Sequence, residues 1–173
     1  MGKPQVVVAI DPGKDGGVAT CAPLGVYAYK MPTKGKGKER VLHGTMLMEY
    51  LRNDNCEVYQ KIYIENVGFY RQGNAGPSSC KFAHHVGIIK GICYGQDQST
   101  PPFELVAPQT WMKWLATEHR NGVPFHKGSS SKDKTIRKNE IKDVVAGLYP
   151  HLDVTLYTAD ALGILTWGIK NNL

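Results

Sequence analysis

Three carboxylates stand where a divalent-metal site could be assembled. Asp11 ends the β-branched run 6–10, Glu65 ends the run 62–64, and Asp160 opens the apolar stretch 161–165. Buried strands that end in an acid deliver a charged side chain to one rim of a sheet. With Thr158 as N-cap, Asp160 falls in the first turn of a helix, where the macrodipole favours the ionised form a hard cation needs. Like charges gathered together repel and raise one another's pKa, so the cluster is costly unless a divalent ion lies among them. Such ions, held by carboxylates, activate water and stabilise a departing oxygen.

The elements that must position these acids follow from periodicity. Residues 6–10, 18–21 and 26–30 read as three short antiparallel strands. The 11–17 turn, Asp-Pro-Gly-Lys-Asp-Gly-Gly, has glycines that admit close approach of a ligand. A Gly/Lys loop over 32–38 precedes an amphipathic helix over 41–51 with Leu42, Met46 and Leu51 on or near one face. Residues 61–66 form a buried strand, and 68–79 a surface loop carrying Phe69, Tyr70 and Arg71. Phe82, Val86, Ile89 and Cys93 keep helical spacing, with Gly87 and Gly91 indicating close packing against a neighbour. A strand over 103–106 leads to Pro108 at helix position N1 and an apolar face of Trp111, Trp114 and Leu115. A flexible Gly/Ser/Lys loop over 121–132 follows. Next comes a helix with Ile141, Val144, Val145 and Leu148 that stops before Pro150, and then a strand-like piece over 154–157.

Composition narrows the partners. At 173 residues with 42% hydrophobic content, the chain suits one globular domain spanning 1–173. Its net charge of +6 makes a polyanion the first partner to consider. The charge is patterned: residues 30–40 carry five cations against Glu39, and residues 127–142 carry six against Asp133 and Glu140, so the rest of the chain is net −2. Cys21, Cys56, Cys80 and Cys93 show no CxxC pair and read as reduced cytosolic thiols. No apolar run approaches a membrane span, and the N-terminus reads as a strand rather than a signal peptide. The Lys-Gly run at 34–38 lacks the end of a Walker A loop, which argues against a nucleotide cofactor.

The order of elements and acids resembles the RuvC family of Holliday junction resolvases, within the RNase H-like superfamily, over nearly the whole chain. Residues 9–14 (Ala-Ile-Asp-Pro-Gly-Lys) resemble the family's first-strand motif, 64–66 (Ile-Glu-Asn) its strand-4 glutamate, and 158–162 (Thr-Ala-Asp-Ala-Leu) its C-terminal helix motif. The resemblance implies an α/β fold with a mixed five-stranded sheet, three antiparallel strands and then parallel ones, flanked by helices. It also implies a homodimer and nicking of four-way DNA junctions that depends on Mg²⁺ or Mn²⁺, with two ions per site. Asp11 is then the bridging ligand, and Glu65 and Asp160 hold one ion each. Lys14, Lys113 and Lys134 are candidates for the scissile phosphate, with Lys134 the catalytic one, and Lys132, Arg137 and Lys138 extend the basic surface toward DNA. Phe69 and Tyr70, beside Arg71, follow Glu65 at an offset not identical to that of the family's aromatic, which stacks on unpaired bases, each stacked base being worth about 1–3 kcal/mol. One position departs from the family pattern. Tyr157 stands where a fourth ligand, Asp or His, is usual, and Asp15 and Asp153 lie off the motif.

Two other functions use the same features. A different RNase H-like nuclease, acting on RNA–DNA hybrids, flaps or forks, would need the same three acids. A junction-binding module that has lost its chemistry through Tyr157 would bind branched DNA without cutting it. A bacterial or phage-infected cytoplasm suits each of these. An actin-like ATPase shares the Asp-x-Gly turn but duplicates its domain, for which this chain is too short.

Overall fold

The structure, a computed structural model, describes residues 5–51, 59–68, 76–96 and 103–172. Its centre is the strand β1 (Gln5–Ile10), flanked on one side by β2 (Gly17–Ala22) and β3 (Gly25–Lys30), and on the other by β6 (Tyr59–Glu65) and β7 (Glu104–Val106), in the order β3-β2-β1-β6-β7. β1, β2 and β3 pair antiparallel, whereas β6 and β7 run parallel to β1. The expected α/β architecture with a mixed five-stranded sheet is therefore present. A two-stranded ribbon, β4 (Thr33–Lys34) with β5 (Val41–Leu42), stands apart from the sheet. The helices are α1 (Gly44–Leu51), α2 (Pro77–Gln96), α3 (Pro108–His119), α4 (Ser131–Leu148) and α5 (Ala159–Asn172).

β1 reads as an unbroken apolar run because both of its faces are buried, as expected of a central strand with helices on either side. Val6, Val8 and Ile10 join Ile62 and Ile64 in a core with Leu47 and Leu51 of α1 and Ile89 and Cys93 of α2. Val7, Ala9 and Tyr63 face the other way, into a core with Trp111, Leu115, Ile141, Val145, Leu162 and Leu165 from α3, α4 and α5. Gly163 and Gly168 let α5 lie close on this second face: a Cβ at either would stand 2.6 Å from the ring of Trp111 or Tyr63.

Four sequence expectations are corrected. The helix placed at 41–51 begins at Gly44, because Val41 and Leu42 pair with β4 and the His43 ring accepts a hydrogen bond from the Met46 N–H. Its buried positions are Leu47 and Leu51, and Met46 is exposed. The 154–157 piece is no strand. The N–H groups of Thr158 and Ala159 both bond the Thr155 carbonyl, and the Thr158 hydroxyl bonds Thr155 in turn, so a local turn satisfies the backbone without a sheet partner. The 121–132 segment is held rather than loose. Glu140 accepts from the His126 N–H at 2.6 Å and from Arg120, while Asp133 forms a capping box with Ser130 and meets the His126 ring at 2.9 Å. Finally, Gly87 and Gly91 face open space, so the neighbour their spacing implied is not within the described part of this chain.

Among the described residues Cys21, Cys80 and Cys93 are free thiols, and Cys56 lies outside the described residues. Among the described residues no helix is long and apolar enough to cross a membrane.

Candidate active site

Strand register brings the first two acids together. Parallel pairing aligns Ile10 with Ile64, so Asp11 and Glu65, each one residue further on, emerge side by side at the same rim. Alternation along the strands then aims both toward the face covered by α3, α4 and α5, since Asp11 shares parity with Val7 and Ala9, and Glu65 with Tyr63. α5 crosses that face and presents Asp160 from its first turn. The Thr158 carbonyl accepts the first helical N–H, from Leu162, but its hydroxyl turns back to Thr155 instead of capping the helix.

The acids line one cleft of about 280 Å³ together with Trp111, Lys134, Arg137 and Lys138. All three are buried. Burial first, and then the charge of Asp160, raise the Asp11 pKa to about 6. Burial, followed by Asp11 and Asp160, raises Glu65 to about 8, against the opposing hydrogen bond that Trp111 Nε1 donates to Glu65 Oε1 at 3.0 Å. Lys138 Nζ lies 3.1 Å from Asp160 Oδ2. Burial lowers the Lys138 pKa, but Asp160 and Asp11 outweigh burial and raise it. The other oxygen of that carboxylate, Asp160 Oδ1, is buried with no hydrogen-bond partner.

This donor set suits hard divalent cations: carboxylate oxygens only, mutual repulsion that a cation relieves, and one buried oxygen left unsatisfied. Among the described residues no group of three or more His, Cys, Asp or Glu side chains is already placed to hold a metal ion. Gly16 keeps the Asp11 side tight, since a Cβ there would fall 2.3 Å from the Asp11 carbonyl oxygen and 2.6 Å from its Cγ. The Gly13 N–H donates to Asp11 Oδ1 at 3.2 Å.

The structure gathers some of the expected DNA-binding residues and disperses others. Lys134, Arg137 and Lys138 share the cleft. Lys14 is exposed and lines a neighbouring cavity of about 630 Å³ that also touches Asp11. Lys113 lies on α3 beside a third cavity, and Lys132 is exposed on the first turn of α4, outside these cavities. Phe69, Tyr70 and Arg71 lie outside the described residues. Tyr157 is exposed and carries Lys30 Nζ 3.8 Å over its ring, Asp15 is paired with Arg40, and Asp153 is exposed, so none of these lines the carboxylate cleft.

Two partnerships were missed in the sequence. Trp111 read only as an apolar face, although an indole N–H in a core normally finds an acceptor. Lys138 read as basic surface. Its helical spacing with Lys134, Arg137 and Ile141, at i−4, i−1 and i+3, could have shown that one face of α4 is both cationic and anchored in the core.

By sequence the chain matches no protein-family model and no curated protein. Among solved structures it is similar to Thermus thermophilus RuvC in complex with a Holliday junction substrate, with a TM-score of 0.55 and 20% identity over 93% of this chain and 90% of that one. It is also similar to a second Thermus thermophilus RuvC structure, with a TM-score of 0.51 and 17% identity over 96% of each chain. The fold of this chain is the one these two structures share.

Proposed function

We propose that this chain is a structure-selective endonuclease that depends on divalent cations and resolves four-way and related branched DNA by paired, symmetric hydrolytic nicks. The observation that carries the reading is the convergence of Asp11, Glu65 and Asp160 in one cleft, with Asp160 Oδ1 buried and unsatisfied and the cationic face of α4 alongside. The fold shared with a RuvC that was solved on a Holliday junction agrees with it.

Asp11, Glu65 and Asp160 would hold the divalent ions, Mg²⁺ or Mn²⁺. Such ions, when bound, activate the attacking water and neutralise charge on the departing 3′ oxygen. This chain's own residues do the rest. Trp111 holds Glu65 by its Oε1, which fixes the carboxylate at the cleft that both residues line. Lys134 and Arg137 face the same space and would clamp the scissile phosphate, with Lys134 the catalytic cation. Lys138 holds Asp160 and balances the acids before metal enters. The products would carry 5′-phosphate and 3′-hydroxyl ends.

Paired nicks on two symmetry-related strands require a two-fold dimer. The open glycine face of α2 (Gly87, Gly91 and Gly95) is where a second backbone could approach closely. In this reading residues 1–173 form one nuclease domain working in the cytoplasm of a bacterial or phage-infected cell, in DNA recombination and repair. A second reading has one observation in its favour: Tyr157 carries Lys30 and supplies no ligand, which leaves a junction-binding protein without chemistry in contention.

The test is incubation with a labelled four-way junction and a matched linear duplex in Mg²⁺, Mn²⁺ or EDTA, beside Asp11→Asn. Metal-dependent symmetric nicks confined to the junction and absent from the variant are expected. Tight binding with no cutting in either metal would favour the binding module, and equal cutting of the duplex a less selective nuclease.

A further inference from the structure

The proposed chemistry leaves unused a cavity of about 600 Å³ between α3, the 121–130 segment and α4. That volume lies within the range that holds small organic ligands. Its buried lining is apolar, from Ala116 and Phe125 with half-buried Met112 beside them. Its exposed lining is cationic, from Lys113 and Lys127, joined by half-buried Arg137. Among the described residues no carboxylate lines it. An apolar slot edged by cations suits a ligand with a flat apolar body and an anionic tether.

Two further observations narrow the ligand. The cavity adjoins the carboxylate cleft, since Met112 and Arg137 line both. Whatever enters is therefore within reach of a polymer whose phosphate lies at the acids. The cavity is also built in advance. Besides the Glu140 and Asp133 bonds, Arg137 donates to the Gly128 carbonyl at 3.3 Å, and the Arg120 guanidinium lies 4.6 Å over the Phe125 ring. Gly122 adopts φ +79, a conformation that suits the turn leaving α3. A base in a duplex is stacked and cannot enter such a slot, whereas an unpaired base can.

We infer that this cavity is a nucleobase pocket: it receives an unpaired base of the strand bound at the carboxylates, Gln109 reads that base's edge, and cleavage depends on the base's identity. The inference rests on the nuclease reading and extends it to sequence preference. Gln109 is the lining side chain suited to the reading, because its exposed amide offers a donor and an acceptor together. Thr117 already donates its hydroxyl to the Lys113 carbonyl, and the His126 ring is engaged by Asp133. Lys113 and Lys127 take the adjoining phosphates, next to the one Arg137 clamps.

The experiment uses the full chain and has two readouts. In EDTA, junctions carrying 2-aminopurine at each position around the crossover are titrated with protein, and a several-fold fluorescence change at one position is expected. In Mg²⁺, junctions randomised at that position are cut and the products sequenced, and a spread of about tenfold or more between best and worst base is expected. Thr117→Phe, which narrows the cavity, abolishes the fluorescence change, and Gln109→Ala brings the spread toward unity. Both positions are exposed, and circular dichroism melting verifies that the variants fold. Cutting with no fluorescence change at any position, or variants that keep both the change and the spread, would overturn the pocket and leave the nuclease standing. A fluorescence change that Thr117→Phe abolishes, with no cutting of any branched DNA, would keep the pocket and overturn the nuclease.

Discussion

Replacing Trp111 by Phe isolates one hydrogen bond in the carboxylate cluster. Trp111 Nε1 donates to Glu65 Oε1 at 3.0 Å, and both groups are buried. A hydrogen bond to an ionised acceptor contributes roughly 1.5–3 kcal/mol. At 1.36 kcal/mol per pH unit, its loss raises by roughly 1–2 the pH at which Glu65 is half ionised. Glu65 starts at about 8, so at pH 8 its ionised fraction falls about five- to fiftyfold, and affinity for a divalent cation falls with it. The phenyl ring also leaves a gap where the indole meets Gly163, which costs about 1–2 kcal/mol of stability. Calorimetric titration with Mn²⁺ at pH 7, 8 and 9 separates the two effects. A lost hydrogen bond displaces the affinity curve toward alkaline pH, so the deficit shrinks as pH rises. General damage to the core lowers affinity by one factor throughout. A variant whose curve overlies the wild type, or drops equally at every pH, would refute the assigned role of Trp111.

Without divalent ions, stability should fall as pH rises from about 4 to 8. The folded pKa values of Asp11 and Glu65 lie above their unfolded ones, so the native state binds more protons in that window and loses this advantage as pH passes the folded values. Urea midpoints in EDTA against pH measure this, and midpoints that rise with pH would count against the cluster. Lys138→Met should cost roughly 1–2 kcal/mol in EDTA, a figure already discounted for the partial exposure of the lysine, and less in saturating Mg²⁺. An equal cost in both conditions would show that Lys138 does not balance the acids. Gly16→Ala should reduce cleavage at least about a hundredfold by driving a methyl into Asp11, whereas Gly13→Ala, whose nearest contact is 3.6 Å, should be tolerated. Comparable rates for the two variants on the same junction would contradict the proposed crowding.

Local chemistry was enough to find the acids and the elements that carry them. The runs before Asp11 and Glu65 are apolar at every position because their strands are buried on both faces, and Asp160 lies in the first turn of an apolar helix. The acids were legible because a carboxylate beside buried strands is costly and needs a reason. The pairing of Asp11 with Glu65 depended on parallel register, which joins strands 54 residues apart and has no local signal. The Lys138–Asp160 and Trp111–Glu65 contacts depended on how α3 and α4 pack over the rim, where Gly163 sets the approach. The two misread segments failed for a related reason. Residues 121–130 look loose by composition but are held by Glu140 and Asp133 from a helix that follows in the chain. Residues 154–157 look strand-like by β-branching but close on Thr158. Burial and periodicity are written residue by residue, whereas the partner of a buried polar group is chosen by distant parts of the chain once they pack.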